Sequence, residues 1–199
     1  MSHIPCAIVL YPTKKLSKLA YKIHQDLQTQ GSFATTGNYD AHLSPYLLQL
    51  DTNNIKEVES ILNEFASSNR IVSLSAKAVR QGGGWVDVVY TRNHIVDDIQ
   101  LNVIKNINPL RSGLREKDKK TIGTATTSQL ENLQKWGYRN TGDEFTPHVT
   151  LARFNDKDIQ VEIDINLHEF DDQFASIGMF EMGDYGICVR KFFEIPLLM

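Results

Sequence analysis

At 199 residues the chain is long enough to bury a sizeable core, and the whole of 1–199 reads as one two-lobed domain. The composition is that of a globular protein, 41% hydrophobic and 23% charged. A formal net charge of -3 excludes a global field able to hold a polyanion non-specifically, so any nucleic-acid contact must come from a local patch or a built site.

Ile4-Pro5-Cys6-Ala7-Ile8-Val9-Leu10-Tyr11 predicts a buried first strand closed by Pro12. The run is too short to span a bilayer and has no basic segment before it, so neither an anchor nor a signal peptide is expected. Leu16, Leu19, Ala20, Ile23 and Leu27 recur at helical spacing and predict a helix over about 15–28, with His24 one position past the apolar stripe. A polar loop over 31–40 leads into a strand carrying His42-Leu43-Ser44. Asp51, Thr52 and Asn53 are N-cap candidates for a helix with Ile55, Val58, Ile61, Leu62 and Phe65 on its apolar side.

Val72, Leu74, Ala76 and Ala78 alternate with polar residues, and after Gly82-Gly83-Gly84 the run Trp85-Val86-Asp87-Val88-Val89-Tyr90 resumes, which predicts a hairpin. The glycines read as a permissive turn; a phosphate-cradling loop would carry a spaced lysine or be followed by a helix. A helix over about 95–106 ends at Pro109. The loop-like 110–120 stretch holds Arg111, Arg115, Lys117, Lys119 and Lys120 against Glu116 and Asp118. Such a run is a solvated surface or, beside an active site, a track for a phosphodiester backbone.

Ser128-Gln129-Leu130-Glu131 has capping-box spacing for a short helix to about Gly137. Next comes Glu144-Phe145-Thr146-Pro147-His148-Val149-Thr150-Leu151-Ala152-Arg153-Phe154, a second strand with an imidazole and a hydroxyl two residues apart. An acidic linker and two closing strands over 174–181 and 186–195 complete the chain. Each half thus reads as strand, helix, histidine-bearing strand, further strand.

In a strand, residues i and i+2 share a face. His42 pairs with Ser44, and His148 with Thr150, while Leu43, Val149 and Leu151 take the packed side. A facing pair of imidazoles can hold one neutral and one protonated ring near neutral pH, a general base and a general acid on two sides of one reacting group. Hydroxyls beside them are suited to donating to the non-bridging oxygens of a phosphoryl group. That set fits in-line displacement at phosphorus without a metal, and no His-x-His, His-x-x-x-His or Cys-x-x-Cys spacing supplies a zinc ligand set, although Asp143 and Glu144 lie close to His148. His3, His24, His94 and His168 read as structural or solvent-facing. Cys6 and Cys188 each sit in an apolar run and predict reduced, core-filling thiols in an intracellular compartment.

The phrase Phe145-Thr146-Pro147-His148-Val149-Thr150-Leu151-Ala152-Arg153 resembles the second signature of the two-histidine phosphoesterase superfamily, in its 2′-5′ RNA ligase-like and cyclic phosphodiesterase branch. His42-Leu43-Ser44 is similar to the first signature, with Ser where Thr is commoner and with Pro45 in a place usually filled by an apolar strand residue. The resemblance implies a bilobal α+β fold, two antiparallel sheets with flanking helices around a central groove. It implies His42 and His148 as the catalytic pair, Ser44 and Thr150 as phosphate-binding residues, and no cofactor or metal. The expected substrates are RNA ends or small nucleotide phosphodiesters, handled in the cytoplasm with no membrane and no obligate protein partner. The activity it implies is opening of a 2′,3′-cyclic phosphate to a 2′-phosphate. A 2′-5′ phosphodiesterase or RNA ligase, or a catalytically silent nucleotide-binding module, would present the same residues.

Overall fold

The computed structural model describes residues 2–35 and 39–199; of the loop expected over 31–40, Thr36, Gly37 and Asn38 lie outside the described residues. The elements run β1 (His3–Pro12), α1 (Lys14–Gln28), β2 (Leu43–Asp51), α2 (Ile55–Ser68), β3 (Val72–Leu74), β4 (Ala76–Gly82), β5 (Trp85–Tyr90), α3 (His94–Ile107), α4 (Glu116–Thr121), α5 (Thr127–Trp136), β6 (His148–Arg153), β7 (Asp172–Met182) and β8 (Cys188–Pro196). They build an α+β fold with two antiparallel sheets. In the larger sheet, β2, β1 and β7 are neighbours, and the far edge of β7 is shared by β3 and β8. The smaller is β4-β5-β6.

β1 is apolar on both faces because it is a central strand covered on both sides. Cys6, Ile8 and Leu10 enter the main core, while Ala7, Val9 and Tyr11 pack with Phe180 on the opposite face. α1 buries Leu16, Ala20, His24 and Leu27, and it packs against β6, the histidine strand of the smaller sheet. α3 buries Val96, Ile99, Gln100, Val103, Ile104 and Ile107 and packs against β2. Each long helix therefore backs the histidine strand of the other half.

Four expectations are corrected. The alternating run over 72–78 is two strands: β3 closes the larger sheet against β7, and the chain then crosses at Ser75 into β4 of the smaller one. Ala76 marks the crossing, its N–H donating to Asp171 Oδ1 at 2.7 Å. The 110–120 stretch contains a helical turn, α4, pinned by a buried Arg115–Asp118 pair at 2.6 Å. The capping box lies two residues earlier than expected, at Thr126 and Gln129, and the helix ends on Gly137 in a left-handed conformation that favours glycine. Finally, the lobes are not halves of the chain, because β7 and β8 return to pair with β1. The glycine turn is as predicted, with Gly83 and Gly84 both at positive φ, the geometry of a tight hairpin.

Candidate active site

β2 is the edge strand of the larger sheet, which is why it tolerates a proline. Leu43 is fully buried in the main core, so His42, just before the strand, and Ser44 turn to the other face. The register then slips: Ile8 pairs with Tyr46 but Leu10 with Leu43, leaving one extra residue at Ser44-Pro45. This is a β-bulge. The Pro45 carbonyl freed by it accepts from the side-chain N–H of Gln100 at 3.1 Å. Gln100 also donates to the Asn140 carbonyl at 3.1 Å and accepts from the Gly142 N–H at 3.1 Å, so one buried amide fastens β2 to the loop ahead of β6.

β6 repeats the arrangement. Val149 and Leu151 are fully buried, and His148 and Thr150 share the other face. Asp87 pairs with Thr150 and Val86 with Ala152, so Leu151 is the extra residue of a second bulge. Its carbonyl accepts from His24 Nδ1 at 2.7 Å. Each bulge directly follows its histidine motif, and a buried side chain of the helix packed against that strand caps the carbonyl at each: Gln100 of α3 for the first, His24 of α1 for the second. His24 is thus structural, as its position suggested, and burial holds its imidazole below the ordinary histidine range despite the opposing effect of the Leu151 carbonyl.

The two motif histidines are oriented identically. His42 Nδ1 lies 2.6 Å from the Asp40 carbonyl and His148 Nδ1 lies 2.8 Å from the Thr146 carbonyl, each the residue two before its own ring. A carbonyl only accepts, so both Nδ1 atoms carry the hydrogen and both Nε2 atoms are left for chemistry. The His42 ring is further fixed edge-on to Phe180, centroids 4.9 Å apart. β2 and β6 pack across from each other, and the His148 ring is close enough to disfavour a proton on His42. Burial is the main cause holding His42 below the ordinary histidine range; the Asp40 carbonyl and carboxylate oppose it, and His148 and Lys191 reinforce it. A neutral ring with a free Nε2 is the form a general base requires.

The hydroxyls are not equivalent, which the sequence did not indicate. Ser44 is half-buried on the groove face, and among the described residues no hydrogen bond claims its hydroxyl. Thr150 Oγ1 donates to Asp87 Oδ1 at 2.8 Å. Asp87 is buried and takes Arg80 Nε and Nη2 on its other oxygen at 3.2 and 2.8 Å. Arg80, Asp87 and Thr150 are cross-strand neighbours, forming one polar row over β4, β5 and β6. An ionised carboxylate only accepts. The Thr150 proton is therefore held by Asp87, while the Ser44 hydroxyl has no partner among the described residues. Asp87 carried a readable signal, a lone carboxylate inside Trp85-Val86-Asp87-Val88-Val89-Tyr90. Gln100 carried one too, four residues past Val96 on the apolar stripe of its helix.

Cys6 and Cys188 are unpaired. They pack on opposite faces of the larger sheet, Cys6 in the main core and Cys188 with Tyr11 and Phe180, and burial pushes the Cys6 thiol up to about 12. His3 and His94 are exposed, and His168 Nδ1 meets Asp171 at 3.3 Å on the surface. Glu144 is engaged by Gln129 Nε2 at 3.2 Å and by the Thr126 hydroxyl at 3.5 Å, and among the described residues no three His, Cys, Asp or Glu side chains converge as a metal site. No helix is long and apolar enough to cross a membrane among the described residues.

Comparison with known proteins agrees with this geometry. A family model described as "Protein of unknown function (DUF1045)" matches residues 44–189. No curated protein matches the sequence. Among solved structures, E. coli LigT complexed with phosphate is similar at 10% identity over 100% of both chains with a TM-score of 0.58. TT0787 of Thermus thermophilus is similar at 10% identity over 98% of both chains with a TM-score of 0.64. E. coli LigT complexed with 3′-AMP is similar at 8% identity over 100% of both chains with a TM-score of 0.58. At such identities the likeness speaks for the fold, which is that of the two-histidine phosphoesterases.

Proposed function

The chain belongs to the DUF1045 family, and from that premise we propose that it is a phosphodiesterase of RNA ends or nucleotide phosphodiesters that opens a 2′,3′-cyclic phosphate to a 2′-phosphate by paired-histidine acid–base catalysis. The observation that carries the reading is the identical lock on His42 and His148, which leaves both Nε2 atoms without a hydrogen bond among the described residues, on strands that pack together. Binding of phosphate and 3′-AMP by the LigT relatives is in keeping with it.

His42, held neutral by burial, takes a proton from water as the water oxygen forms a bond to phosphorus. The bond from phosphorus to O3′ breaks, and His148 Nε2 delivers its proton to that oxygen, giving a 2′-phosphate and a free 3′-hydroxyl. Exchange with solvent resets both rings. Ser44 donates to a non-bridging oxygen, where loss of a comparable donor costs roughly 3–4 kcal/mol of the barrier. Thr150, its own hydrogen given to Asp87, presents lone pairs and accepts from a hydroxyl or water on the substrate side. The scheme asks nothing of a metal.

The test is incubation of the purified chain with oligonucleotides ending in 2′,3′-cyclic phosphate, with and without excess EDTA, reading products by mass and phosphorus NMR. A 2′-phosphate product at equal rates under both conditions is the expected result. No product from a folded chain refutes the reading, and loss with EDTA that zinc or manganese restores refutes the metal-free scheme.

A further inference from the structure

We propose that the protein carries a second anion subsite, built by Lys117 and Arg153 around Trp85, which holds a phosphate group distinct from the reacting one and so selects oligonucleotide ends over mononucleoside cyclic phosphates. The inference rests on the phosphodiesterase reading and names the substrate class within it.

The subsite lies on the face that carries His148 and Thr150. Alternation puts Trp85 beside Asp87 on β5, and the bulge at Leu151 turns Arg153 to that same side, where it pairs with Trp85. Five residues of strand separate His148 from Arg153, roughly 15 Å at the usual rise per residue. One phosphoryl group cannot touch both ends. Any anion met at Arg153 is a separate group of the substrate.

Several independent features converge there. Arg153 is 6% exposed, and its guanidinium carbon lies 5.3 Å from the Trp85 ring centre and 4.8 Å from that of Tyr185. Its Nη1 donates to the Phe154 carbonyl, but its Nε is buried with no hydrogen-bond partner among the described residues. A buried guanidinium N–H left unmatched is uncommon and marks a donor waiting for an acceptor. Lys117 arrives from α4 with its ammonium 5.9 Å from the same Trp85 ring. It is pulled below the ordinary lysine range by desolvation first, then by Arg115 and Arg139, with Arg153 adding to them. Asp118, which opposes that shift, is already taken by Arg115 at 2.6 and 2.9 Å. Two cations thus flank one indole ring, an arrangement that a phosphate relieves.

The basic run over 111–120 divides accordingly. Arg111 is spent on Asn108 and the Gly113 carbonyl, Arg115 on Asp118, and Lys119 on Glu116. Lys120 is exposed, and Lys117 is the member that reaches Trp85. Arg115 Nη1 also meets Met182 Sδ at 3.8 Å, which ties α4 to the turn bearing Tyr185 and holds Lys117 over Trp85.

The experiment compares wild type with the Lys117→Ala variant, which lies outside the histidine machinery and is exposed. Two substrates are used, a mononucleoside 2′,3′-cyclic phosphate and a trinucleotide with the same terminus. The variant is expected to lose about tenfold in kcat/KM on the trinucleotide, through KM, with the mononucleotide rate unchanged. The lost contact lowers the log–log salt slope by about 0.7. In parallel, fluorescence anisotropy measures binding of a 3′-phosphorylated trinucleotide, which needs no turnover. Equal trinucleotide affinity for variant and wild type overturns the subsite whether or not the chain is active, and so does an equal loss on both substrates. Absence of turnover with a preserved affinity difference refutes the catalytic reading and leaves the subsite standing.

Discussion

Thr150→Val separates the two hydroxyls that the motifs make look alike. Val keeps the shape of Thr but removes the donor to Asp87 Oδ1, a bond of 2.8 Å to a carboxylate that is 3% exposed. A hydrogen bond to a charged group contributes about 1.5–3 kcal/mol, and a buried acceptor stripped of its donor bears its desolvation in full. Arg80 remains on the other oxygen, but its side chain is 49% exposed, so that ion pair is screened and compensates little. The expected loss is about 2 kcal/mol, and at about 2–4 °C per kcal/mol for a chain of this size it lowers Tm by about 4–8 °C. Ser44→Ala, whose hydroxyl makes no bond to the described residues, should shift stability by less than about 0.5 kcal/mol. Urea unfolding followed by circular dichroism, with calorimetry for Tm, measures both, while kcat/KM falls in each. Equal midpoints for the two variants would show that the Thr150–Asp87 bond carries no stability and would refute the assignment of unequal roles.

The remaining predictions concern protons. With His42 as base, kcat/KM should be bell-shaped in pH, and its rising limb should lie below the ordinary histidine range because burial disfavours the charged ring. His42→Ala should abolish that limb and His148→Ala the other, with the double variant falling no further than either single one, since groups acting as a unit are non-additive; a double loss equal to the product of the singles would mean that the rings act independently. Stability should also depend on His24, whose folded pKa is lowered from 6.5 by burial. The unfolded chain then binds the proton at higher pH than the folded one, so stability is present above 6.5 and is lost as pH falls from there towards the folded value. His24→Gln, which keeps a donor for the Leu151 carbonyl, should show a smaller drop between about pH 7.5 and 5.5 in urea titrations, the remainder being the share of His42; an undiminished drop would remove His24 from this role.

The order of elements was readable because apolar period and capping are local: α1, α3 and the glycine hairpin follow from side chains within a few residues of one another. The capping box was displaced by two positions because Thr126 and Ser128 offer the same chemistry, and only the bond from the Gln129 N–H to the Thr126 hydroxyl chooses between them. The run over 72–78 looked continuous because alternation persists across the crossing, while the partner strand changes from β7 to β5. Pairing partners are a tertiary fact.

By itself the sequence determined the two histidine strands and which residues face away from the core, since a period of two leaves no freedom once Leu43, Val149 and Leu151 are buried. It determined the chemistry available, two imidazoles and two hydroxyls, because residue type fixes donor and acceptor capacity. Tertiary structure decided what that chemistry is directed at. The bulges at Ser44-Pro45 and Leu151 and the buried caps from Gln100 and His24 join residues far apart in the chain. So do the Asp87 acceptor that holds the Thr150 proton and the meeting of Lys117 with Arg153 around Trp85. Local pattern carries no record of these contacts, because each exists only when a distant strand or helix supplies the partner.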